Sequence, residues 1–135
     1  MHSDRAQLAT PLIEVTVGIF LILAVALGFA LLPVETEETA TLDRTASDAL
    51  SVLAAEPPEG TGPNRIAAAC RSESAFETEA DELDSRLRAI LPDPLSYRLA
   101  TPQGHVGQPR PSGIPAGTAS FTTDGCTVTL WVWYV

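Results

Sequence analysis

The chain of 135 residues contains no lysine. All eight basic residues are arginine, against 17 acidic ones, for a net charge of -9. No basic stripe is available to neutralise phosphates, which excludes nucleic acid as a partner. An acidic surface of this kind instead keeps a protein soluble. Histidine is nearly as scarce. His2 and His105 are the only two, and neither has a second ligand at metal-binding spacing. No Gly-x-Ser-x-Gly, phosphate loop or dinucleotide glycine pattern occurs, and the acids are not paired with a nucleophile. The expectation is a non-enzyme without catalytic residues, cofactor, metal or small-molecule substrate. The one asparagine, Asn64, precedes Arg65-Ile66, so there is no N-glycosylation sequon.

Charge is also missing from one long stretch. Between Arg5 and Glu35 the sole charged residue is Glu14, and Val15 to Val34 is a run of 20 uncharged residues. At about 1.5 Å of rise per residue such a helix spans about 30 Å, the hydrocarbon thickness of a bilayer. A secretory signal has a shorter apolar core and a small-residue cleavage site after it. Here Pro33-Val34 follow with no Ala-x-Ala pattern, so the segment is expected to be retained as a single-pass anchor. His2 and Arg5 flank one side and Glu35, Glu37 and Glu38 the other, which places the N-terminus inside and the following domain outside. A lone carboxylate in an apolar span costs several kcal/mol unless partnered, so Glu14 asks for a functional explanation.

About 100 residues remain for one small domain. Leu42, Ala46, Ala49, Leu50 and Leu53 recur at spacings of three and four, predicting a helix over 35–55. Glu56 to Pro63 breaks it. Arg65 to Arg71 reads as a short helical turn carrying Cys70. Ser74-Ala75-Phe76-Glu77 fits a capping box. The helix after it carries Phe76, Ala80, Leu83, Leu87, Ile90 and Leu91 on one stripe. Its other face, including Glu79, Asp81, Glu82, Asp84, Arg86 and Arg88, reads as solvated. Pro92 and Pro94 end it.

Leu95 to Leu99 alternates as a half-buried strand, and Pro102 to Gly117, with four prolines and four glycines, reads as an irregular loop holding His105. Asp124-Gly125 signals a two-residue type I′ hairpin, which sets Thr123 opposite Cys126, Phe121 opposite Val128 and Ala119 opposite Leu130. Cys126 then faces inward, where Cys70 could meet it. The two cysteines form either one disulfide or two separate buried thiols. Leu130 to Val135 is apolar on both faces. It is either a covered central strand or a surface offering Trp131 and Trp133 to a partner.

Thr10-Pro11-Leu12-Ile13-Glu14-Val15-Thr16-Val17 resembles the start of type IV pilins and pseudopilins. There a short charged leader precedes a similar box and a long apolar helix. The lysine-free, acid-rich composition resembles proteins of salt-loving archaea. The resemblance implies an α+β fold, with a long N-terminal transmembrane helix kinked at a proline (here Pro33) and a small domain of helices and a short antiparallel sheet. In these terms residues 1–9 are a leader, 10–34 the transmembrane helix and 35–135 the extracytoplasmic domain. It also implies a membrane peptidase that cuts the leader, between Ala6 and Gln7 beside Arg5, or after Ala9 if Glu14 aligns with the family's fifth-position glutamate. The new α-amino group would pair with Glu14 of a neighbouring subunit. The implied partners are the membrane, other pilin-like subunits and the assembly machinery, and the implied location is the cell membrane or a surface filament. The competing expectation is an uncut single-pass protein whose outer domain is a protein-binding module.

Overall fold

A computed structural model of the chain describes residues 2–32 and 36–135, with the backbone alone for 2–10. Two units result, 1–34 and 35–135. The first is one helix, α1 (His2–Leu31). The segment expected to be a leader is already helical, because nothing before Pro11 breaks the pattern. Within α1, Pro11–Leu31 is long and apolar enough to cross a membrane, and none of it is buried. An apolar helix that its own protein leaves uncovered fits a membrane anchor. The expected kink at Pro33 lies outside the described residues.

The second unit is α+β. Its helices are α2 (Glu37–Ala55), α3 (Arg65–Ala69) and α4 (Glu73–Ile90), followed by the strands β1 (Leu95–Thr101), β2 (Gly104–Gly107), β3 (Gly117–Thr123) and β4 (Cys126–Tyr134). The expected stripe of Leu42, Ala46, Ala49, Leu50 and Leu53 is the buried face of α2. On its other side the hydroxyls of Thr41, Thr45 and Ser51 each donate to the carbonyl one turn back, at 2.9 Å.

Helix α4 starts earlier than the capping-box reading places it. Ser72, extended at φ -164°, is the N-cap, and its Oγ accepts from the Ala75 N–H at 3.1 Å. Ser74 and Glu77 lie inside the helix. Its last turn closes at Ile90, before Pro92 and Pro94.

The strands form one antiparallel sheet in the order β2-β1-β4-β3. The type I′ turn is present, with Asp124 and Gly125 both at positive φ (47° and 78°). The β3–β4 register pairs Thr123 with Cys126, Phe121 with Val128 and Ala119 with Leu130, as the sequence predicts. Strand β2 lies inside the segment read as irregular. It is a four-residue edge strand, too short to show alternation against its glycines. His105 therefore sits on a strand, where it is exposed.

Leu99, Val128, Leu130 and Val132 meet Leu50, Leu53, Ile66, Leu83 and Leu87 in the core. Each fully buried aliphatic side chain contributes roughly 1.5–3 kcal/mol. Helix α2 also guards the free edge of β3. The Thr118 N–H donates to Asp43 Oδ1 at 2.7 Å, so the edge offers one less donor to a foreign strand. This approach needs Gly117, where any Cβ would overlap the backbone of Leu42 and Asp43. Gly117→Ala should therefore cost about 1–3 kcal/mol by overpacking. Urea unfolding of the detergent-solubilised chain would read this as a lower midpoint, and an unchanged midpoint would contradict the packing.

Candidate functional site

Two regions carry the residues singled out by the sequence. In α1, Arg5, Ala6 and Gln7 lie on helical backbone and their side chains are not described. Glu14 is exposed, within a turn of Pro11. Thr16 Oγ1 donates to the Leu12 carbonyl at 2.8 Å, which satisfies its hydroxyl within the helix. Pro11 has no N–H, so the helix runs through it without the bond to the Gln7 carbonyl. A proline inside a helix costs roughly 3 kcal/mol relative to alanine.

In the second unit, Cys70 caps the C-terminus of α3 and Cys126 opens β4. The structure joins them in a disulfide, with Cα atoms 6.1 Å apart. This tie links the α3 end to the β3–β4 hairpin across 56 residues of sequence. Trp131 is half-buried, but Trp133 is only 4 % exposed. The reading of Trp133 as an interaction residue is thereby corrected. Strand β4 is central between β1 and β3, and Trp133 is covered although Trp131 on the same face is half-buried.

The main feature the sequence reading missed is an ion network that is buried at one end, at Glu79 and Arg65. Glu79, assigned to the solvated face of α4, is 1 % exposed. It stands three residues after Phe76 and four before Leu83, which puts it on the apolar stripe. That spacing was the available signal. Its Oε1 accepts from the Gly60 N–H at 2.8 Å, and its Oε2 accepts from the Glu59 N–H at 3.1 Å and from Arg65 Nη1 at 3.2 Å. Arg65, itself buried, also reaches Glu56 Oε2 at 3.4 Å. Arg86 holds Glu56 Oε1 through Nε at 2.8 Å and Nη2 at 2.5 Å. The Arg65 N–H donates to the Glu56 carbonyl at 3.0 Å and closes the loop at its base.

Two arginines and two glutamates thus alternate, and every buried side-chain polar atom among the described residues has a partner. The hydrogen bond from Arg86 holds the Glu56 carboxyl below its usual pKa, reinforced by the Arg86 and Arg65 charges against the opposing effect of burial. Chemically the network is a clamp. It fixes the proline-rich loop 56–63 onto α3 and α4.

A shallow groove of about 480 Å³ runs between α4 and the sheet, lined in part by Asp84, Arg88, Tyr97 and Gln108. The Tyr97 hydroxyl donates to Asp84, and Arg88 pairs with the same carboxylate at 2.6 Å. Burial and then the Asp84 hydrogen bond push the Tyr97 pKa up to about 12. These groups satisfy one another. Among the described residues no three His, Cys, Asp or Glu side chains come together as metal ligands.

A family model described as a family of unknown function, DUF7262, matches residues 4–134, nearly the whole chain. The chain belongs to DUF7262. Comparison with the curated proteins and with the solved structures gives no match. The match to DUF7262 takes in α1, the clamp and the sheet, so the family covers both units.

Removing one partner from a buried ion pair typically costs about 3–5 kcal/mol. Glu79→Gln in this DUF7262 chain should fall near the lower end, because the amide oxygen still accepts from one backbone N–H. The pH dependence follows from Glu56. Its folded pKa is lowered, so its contribution is present above the unfolded value of about 4.3 and is lost as pH falls through the folded one. Urea titrations from pH 6 to pH 3 should show falling stability, with a shallower fall in Glu56→Gln. Identical slopes for the two proteins would contradict this assignment.

Proposed function

We propose that the chain is a structural subunit, a minor pilin or pseudopilin, of an archaeal type IV pilus-like or secretion-type assembly. The observation that carries this reading is α1. It is one 30-residue helix, apolar from Pro11 to Leu31 and uncovered by its own protein. A single carboxylate, Glu14, lies just inside it, within the Thr10–Val17 box. The helix stores the subunit in the cell membrane with its outer domain outside, and stacked α1 helices then form the core of the assembly.

Cutting between Ala6 and Gln7 leaves an α-amino cation at Gln7. Glu14 lies seven residues further along, about 10 Å of helix rise. The carboxylate of one subunit then meets the amino group of the next. In low dielectric such a pair sets register, even where its net stabilisation is small. The outer domain supports the same reading through its build. Its amphipathic α2 packs on a four-stranded antiparallel sheet, and clamp and disulfide hold it in one shape.

Mass spectrometry of the chain purified from its native membrane tests the reading. The expected mature N-terminus is Gln7, or Thr10 in the other register. A chain that still begins with Met1 would sink it.

A further inference from the structure

The Thr10–Val17 box contains a residue that neither anchoring nor register explains. Pro11 sits inside α1 rather than at its start, with nine helical residues before it. It removes the N–H that an α-helix would bond to the Gln7 carbonyl, and a proline ring crowds the carbonyl four residues back. It also disfavours the helical conformation of Thr10. The turn 7–11 is therefore the weakest in the helix. The nine residues ahead of it are too few to hold a helix by themselves. Beyond Pro11 the apolar run has an unbroken ladder, which a bilayer strengthens because no water competes for its backbone groups.

A peptidase takes its substrate in extended form, and its rate follows the population of the opened segment. Resting on the reading above, we infer that Pro11 is the positioning residue for processing. It marks the border between a leader that unwinds into a membrane peptidase and a helix that does not. Both candidate bonds, Ala6–Gln7 and Ala9–Thr10, fall on the side that opens. Hydrolysis adds one water across the amide. The leader leaves with the new carboxylate, and the anchored chain keeps the new α-amine. Pro11 touches neither reacting atom and acts through the backbone.

The test follows processing of the full-length chain in its native cell by pulse-chase, with mature N-termini read by mass spectrometry. It compares wild type, Pro11→Ala and Pro11→Gly. Alanine restores the bond to Gln7 and the helix. Glycine keeps the N–H but leaves the turn weak. The expected result is cutting slowed at least about tenfold in Pro11→Ala, with Pro11→Gly between the two, about fivefold faster than Pro11→Ala. The Cys70–Cys126 disulfide in each variant reports that the outer domain has folded. Pro11→Ala cut at the wild-type rate would overturn the inference. So would Pro11→Gly as slow as Pro11→Ala, because the ring itself would then be what the peptidase reads. A wild-type chain that keeps Met1 overturns the proposed function instead, and this inference falls with it.

Discussion

Everything else in this chain follows from a helix that cannot be left in water. From Pro11 to Leu31, α1 presents apolar side chains on every side, and nothing in its own protein covers them. At about 25 cal/mol per Å² of apolar surface, exposing it to solvent is costly, which fits a membrane anchor. The second unit builds a core of its own. It does so with α2, α3 and α4 against one sheet. Glu14 is conspicuous for the same reason, as the single carboxylate in a segment where charge is expensive.

A domain of about 100 residues has a modest core. It adds two ties. The disulfide joins the end of α3 to the hairpin. Glu79, Arg65, Glu56 and Arg86 join the end of α2, the loop 56–63 and α4. A buried ion pair is a poor source of net stability, but its geometric demands favour one arrangement. Here two backbone N–H groups point at one buried carboxylate, so the loop has a defined path rather than an ensemble of them.

The elements legible in the sequence were those with a strong local period. The buried stripe of α2 emerged residue for residue, and the Asp124-Gly125 turn delivered the β3–β4 register because a one-residue slip would turn every inward side chain outward. The elements missed depend on distant partners. Glu79 reads as one more acid in a charged helix until Arg65 and the 59–60 amides are brought to it from elsewhere in the chain. Strand β2 has no period of its own and exists only because β1 offers it an edge. Ser72 outcompetes Ser74 as a cap by backbone conformation, which composition does not reveal. Trp133 looked available because β4 is apolar on both faces, and its burial is a property of the folded sheet.

The central claim is that α1 exchanges lipid for the α1 helices of other copies. Shearing producing cells and sedimenting the released material tests this most directly. The account predicts that the chain appears in long assemblies free of membrane, with α1 protected from added protease. A chain found solely in the membrane pellet, and released by detergent as a monomer, would contradict it.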